Sequence, residues 1–114
     1  MNKTDNIFYP EMINNLPDAD IPFKGVKGKL FQGEKHQIVF FEIDAIGEVP
    51  EHTHGDQWGV VFEGEMDLTI NGDTKTYKKG DQYFVPAGVK HSANFKIRTR
   101  LMDYFEDKDR YMKK

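Results

Sequence analysis

Turn-forming residues recur along this chain at intervals that leave room only for short runs between them. Gly33-Glu34, Gly47, Gly55-Asp56, Gly64, Gly72-Asp73, Lys79-Gly80 and Pro86-Ala87-Gly88 separate most of nine strand-like runs. These span 25–32, 36–44, 47–54, 57–63, 65–71, 74–78, 81–85, 89–96 and 98–105. The strongest hairpin signal is Asn71-Gly72, because a type I′ turn needs positive φ at both central residues. In the run before it, Met66, Leu68 and Ile70 alternate with Glu65, Asp67 and Thr69, the period of a half-buried strand. Many short strands with frequent turns make an all-β sandwich or barrel.

A chain of 114 residues makes one domain. Residues 1–22, with Pro10, Pro17 and Pro22 among polar residues, read as an N-terminal arm holding at most a short strand or helical turn. Residues 23–106 form the barrel, and the charged stretch 107–114 reads as a solvated C-terminal tail. The net charge of -3 gives no basic footprint, so nucleic acid is not an expected partner. With no cysteine, any metal must be held by nitrogen and oxygen ligands. No apolar run has the length of a membrane span. The first residues, through Ile7, lack the apolar core of a signal peptide, so the expected location is cytoplasmic.

Three of the four histidines form a pattern with chemical content. His52 and His54, two residues apart on a strand, point to the same face. Gly55-Asp56 can turn the chain so that Gln57 begins the next strand beside them, and His91 opens a later run behind Pro86-Ala87-Gly88. Three imidazoles and one side-chain oxygen converging inside a barrel would hold one divalent transition-metal ion. Imidazole suits Zn, Cu, Fe and Ni, and the oxygen ligand admits Mn. Gln57 has two readings, a direct ligand or an amide that orients an imidazole or a bound water.

The setting of these residues resembles the cupin superfamily, in particular its small single-domain members. Gly47, His52-x-His54, Gln57 and Gly64 follow the order of the first cupin motif, and Gly80, Pro86, Gly88 and His91 match the second. Gln57 stands where the family usually has Glu, one residue closer to the histidines, and Asn94 falls one residue before its usual place, which Phe95 occupies. The resemblance implies an antiparallel jelly-roll β-barrel (a double-stranded β-helix). It also implies metal binding by His52, His54 and His91, with Gln57 as a weaker fourth ligand. It does not imply one reaction, because fold does not fix function.

Two functional classes follow. One is a metal-dependent enzyme acting on a small polar metabolite, such as a sugar acid or keto/enol compound, by isomerase, lyase or dioxygenase chemistry. The other is a non-catalytic module that binds a small molecule. Candidate general bases are Asp103, Tyr104 and His36, although the alternating polar residues of the last strand, including Arg98 and Arg100, also suit its wet face. Two runs, Ile38-Val39-Phe40-Phe41 and Trp58-Gly59-Val60-Val61-Phe62, are apolar on both faces and need a second layer outside the barrel. A homodimer supplies that layer in one reading, and the N-terminal arm in the other.

Overall fold

The structure, a computed structural model, describes residues 8–114. The first seven residues of the expected arm, on which the leader reading rests, lie outside the described residues. One short helix, α1 (Glu11–Asn14), precedes nine strands. These are β1 (Val26–Gln32), β2 (Gln37–Ile43), β3 (Gly47–His52), β4 (Gln57–Glu63) and β5 (Glu65–Ile70), followed by β6 (Asp73–Lys78), β7 (Gln82–Val85), β8 (His91–Phe95) and β9 (Thr99–Phe105). They form two antiparallel sheets, ordered β1-β2-β9-β4-β7 and β3-β8-β5-β6, which face each other as a jelly roll.

Period-2 alternation explains why these sheets pack. Along β2, Gln37, Val39, Phe41 and Ile43 are buried while Ile38, Phe40 and Glu42 face outward. Met66 and Leu68 of β5 meet them from the opposite sheet, in a core that also takes Val61, Val85 and Leu101. The β5–β6 hairpin turns at Asn71 (φ 50°) and Gly72 (φ 87°), and Ile70 pairs with Asp73 as the two-residue loop requires.

The outer face of the larger sheet is covered in part by the arm. Tyr9 is buried against it, with its ring edge-on to Phe40 and Phe62, and its hydroxyl donates to the Phe41 carbonyl at 2.7 Å. Arg100, which projects from β9 onto this face, pairs with Glu42 and Glu63 and stacks over the Phe8 ring. The remainder of the face, carrying Phe31, Trp58, Phe84 and Tyr104, is exposed.

The C-terminal stretch is not a solvated tail throughout. Tyr111 is buried edge-on to Phe41 and Phe105. The side-chain amide of Gln37 holds its backbone from both sides: Nε2 donates to the Tyr111 carbonyl at 2.6 Å, and Oε1 accepts from the Tyr111 N–H at 3.0 Å. Lys113 pairs with Ala19, so tail and arm lie side by side. The charge of this segment pointed to water, but one aromatic residue and one buried amide were enough to dock it.

Candidate metal centre

The site sits at one end of the barrel, where β3, β4 and β8 come together. β3 and β8 pair regularly through Val49 and Ala93, then a register shift sets His52 directly opposite His91. On its other side His91 pairs with Ile70. The third imidazole arrives differently from the expectation of one continuous strand over 47–54. β3 stops at His52, and His54 lies in the loop before β4. That loop leaves the ladder because its polar groups are satisfied elsewhere: the Gly88 N–H donates to the His54 carbonyl at 2.9 Å, and the Gly55 N–H donates to Asp107 at 2.8 Å. The three rings still converge, with centroids 4.2 to 5.3 Å apart.

The tautomers follow from the backbone. Each Nδ1 lies at 2.9–3.0 Å from a carbonyl oxygen: Pro50 for His52, Gly55 for His54 and Val89 for His91. A carbonyl only accepts, so each Nδ1 carries the proton and each Nε2 presents a lone pair. The Nε2 atoms of His54 and His91 face each other at 3.1 Å. Two lone pairs at that distance repel unless a cation lies between them. Two ligand nitrogens at ~2.1 Å from one ion and at right angles to each other stand about 3.0 Å apart. One nitrogen from each of the three rings falls within 4.8 Å of the others. Burial is the main force holding all three imidazoles below their ordinary pKa, with His54 down to about 4 and the Arg110 charge adding to the effect. They are therefore neutral and able to ligate at pH 7. The donor set fits a first-row divalent ion.

The other expected residues separate cleanly. Gln57 opens β4 with its side chain buried on the same cavity as the histidines, and its Oε1 has no hydrogen-bond partner among the described residues. Asp103 is buried on the inward face of β9, and the Tyr83 hydroxyl donates to its Oδ1 at 2.5 Å. Burial raises its pKa to about 6, against the opposing pull of the Tyr83 hydroxyl and the neighbouring Gln57 amide. Tyr104 and His36 stack on each other at 5.3 Å on the outer face, away from the centre, so neither is a base for it. Arg98 and Arg100 are also outside the cavity, bound up with Glu42.

Two cavity residues lay beyond what sequence patterns identified. Tyr83 comes from β7, and Arg110 from the docked C-terminal stretch, where its guanidinium stacks at 4.5 Å over the Tyr111 ring. A signal for Asp103 did exist: it shares the parity of Leu101 and Phe105, not that of Arg100 and Tyr104. The cavity volume is about 80 Å³, room for two or three waters at about 30 Å³ each.

Jelly-roll sheets with three imidazoles grouped at one end define a class, small β-barrel proteins with a potential three-histidine metal centre. Residues 39–96 match the family model for the cupin domain, and the chain belongs to the cupin family. Over 75 residues, 63% of its length, it is 32% identical to quercetin 2,3-dioxygenase of Bacillus subtilis (strain 168), and it spans only 22% of that protein. An RmlC-like cupin from Shewanella frigidimarina superimposes with a TM-score of 0.74 at 26% identity, covering 96% of each chain. The KdgF structure from Halomonas sp. gives a TM-score of 0.69 at 22% identity, over 77% of this chain and 85% of that one, a likeness of fold.

Proposed function

We propose that this chain is a metal-dependent enzyme that moves a proton on a small anionic keto/enol metabolite of the sugar-acid kind, by isomerase or lyase chemistry. The observation that carries the reading is one cavity shared by three Nε2 donors, one buried carboxylate and one guanidinium. His52, His54 and His91 would hold the ion, with Gln57 Oε1 as fourth ligand. Bound there, a divalent ion supplies Lewis acidity toward a substrate carbonyl or hydroxyl oxygen. Arg110 offers the positive charge that a substrate carboxylate needs. Asp103 is, among the described residues, the one carboxylate lining the cavity, and its pKa of about 6 suits a group that both takes and returns a proton near neutrality. Tyr83 holds that carboxylate in place through Oδ1. Phe105 and Leu68 make the adjoining wall apolar, which limits competing water.

Dioxygenase chemistry is the second reading, favoured by the identity to quercetin 2,3-dioxygenase. A direct test loads the protein with Zn²⁺, Ni²⁺, Mn²⁺ or Fe²⁺ and offers keto/enol sugar acids in D₂O. Proton NMR should record loss of the signal α to the carbonyl, abolished in Asp103→Asn. Oxygen uptake without exchange supports the dioxygenase. Ligand binding with neither leaves a non-catalytic binding module.

A further inference from the structure

Arg110 enters the cavity from a stretch that lies outside every strand. Its guanidinium sits 4.5 Å over the Tyr111 ring and 5.9 Å over Phe105, the ring that His54 meets edge-on at 5.5 Å. Its Nε is buried without a hydrogen-bond partner, and no carboxylate pairs with it among the described residues. A side chain this long samples many rotamers unless its backbone is fixed. Two side-chain amides fix it. Gln37 opens β2 on the inward face, where alternation calls for an apolar residue. Its amide does instead what a neighbouring strand would, donating to the Tyr111 carbonyl and accepting from the Tyr111 N–H. The other N–H of Nε2 goes to Gln32 Oε1 at 2.7 Å, and Gln32 Nε2 donates to the Lys108 carbonyl at 2.9 Å. The backbone is thus pinned at 108 and at 111, on either side of Arg110. Both donors of the Gln37 amide are in use, so it cannot turn over without breaking all three of its bonds.

We propose that Gln37, backed by Gln32, is the positioning residue that makes this site select carboxylate-bearing substrates over neutral ones, by holding Arg110 in the cavity. This rests on the assignment of Arg110 to the substrate carboxylate above. A carboxylate arriving there would fill the orphaned Nε and the rest of the guanidinium fork with charge-assisted hydrogen bonds. A guanidinium fixed in advance also spares the ligand the cost of ordering it. The two amides act on the anion and not on the ion. The histidine Nδ1 atoms are held by the carbonyls of Pro50, Gly55 and Val89, so losing either amide leaves the three metal-binding nitrogens in place.

The test uses two probes that differ by one charge, pyruvate and methyl pyruvate, titrated into Zn²⁺-loaded protein and followed by amide NMR shifts. Arg110→Gln should weaken pyruvate binding about tenfold, the lower end of the range for a lost hydrogen bond to a charged group, and leave methyl pyruvate unchanged. Gln37→Met, which keeps the length of the side chain and removes its amide, should do the same. Its Zn²⁺ affinity by chelator competition should match wild type. The double variant should bind pyruvate no more weakly than Arg110→Gln, because Gln37 has nothing left to position. Gln32→Ala, an exposed site, stands in if Gln37→Met folds poorly. Its weakening should be smaller and should vanish in the Arg110→Gln background. Wild-type pyruvate affinity in Gln37→Met (or in Gln32→Ala where it stands in), an equal loss of both probes, or losses that multiply in the double variant overturn the positioning role. A wild type without preference for pyruvate over its ester, or an Arg110→Gln variant that binds pyruvate equally well, overturns the Arg110 assignment itself, a different result.

Discussion

Gly59 occupies a place where a strand should not want glycine, and replacing it tests the interior polar pair directly. It lies in the middle of β4 on the inward face, two residues from Gln57, and it pairs with Tyr83 on one side and Asp103 on the other. A Cβ built there would run into Asp103 Oδ1 and the Cζ and hydroxyl of Tyr83, the groups that form the 2.5 Å hydrogen bond. Glycine in a strand interior often marks such a close approach. Gly59→Ala therefore has to part the pair or displace β4. Overpacking a tight interior costs about 1–3 kcal/mol, and loosening a hydrogen bond to a charged group adds about 1.5–3 kcal/mol. Partial relaxation brings the sum to about 3 kcal/mol, set against roughly 6–17 kcal/mol for a domain of this size. The protein should fold but melt about 10 °C lower, at roughly 4 °C per kcal/mol. Circular dichroism melts of metal-free protein measure this. Tyr83→Phe removes one of the colliding atoms, so Gly59→Ala/Tyr83→Phe should lose at least 1 kcal/mol less than the sum of the single losses. A Gly59→Ala melt within about 2 °C of wild type, or strict additivity in the double variant, would refute the reasoning.

Replacing His52, His54 and His91 together by alanine should abolish stoichiometric metal, and retention of the ion after dialysis would place the centre elsewhere. Gln57→Glu should tighten divalent binding and lower the melting point of the metal-free protein, because the ion relieves the repulsion from Asp103; an unchanged Zn²⁺ affinity by chelator competition counts against ligation. The exposed Phe31, Trp58, Phe84 and Tyr104 suit a homodimer, so light scattering should give about twice 13.3 kDa, falling to the monomer in Trp58→Asp/Phe84→Asp; a wild-type monomer at high concentration removes that reading. Asp103, raised to about 6 by burial against ~3.9 unfolded, favours folding increasingly as pH drops from 6 toward 4, whereas His54, lowered by burial to about 4 against ~6.5, disfavours it over the same range. Metal-free Asp103→Asn loses only the first effect, so urea titrations should find its stability falling more steeply than wild type's between pH 6 and 4; parallel curves would contradict the assignment.

The parts of this fold that depend on chain neighbours are legible in the sequence itself. The Asn71-Gly72 hairpin and the alternation through Met66, Leu68 and Ile70 depend on neighbours in the chain, and the structure follows them. The histidine group was equally readable, because spacing and turn residues bring His52, His54 and His91 together. What failed was decided at long range. The end of β3 depends on hydrogen bonds made by the His54 loop to residues far along the chain, including Gly88 and Asp107. The docking of Tyr111 depends on Gln37, a polar residue whose burial no periodicity announces. Arg110 reaches the cavity only through that docking. The two readings of the apolar outer face were left open by sequence, and the arm accounts for the half around Phe40 and Phe62.

The position of β9 bears on how the molecule is made. Although late in the sequence, it lies third in the five-stranded sheet, hydrogen-bonded to β2 on one side and β4 on the other. A chain emerging from the ribosome presents β2 and β4 before the strand that joins them has been synthesised. Their facing edges, flanked by Ile38, Phe40, Val60 and Phe62, must wait with open backbone donors and acceptors. Closure is thus a final, non-local step, slow by the logic of loop entropy. The same strand brings Asp103, so the barrel's last fastening and the cavity's carboxylate come into place together.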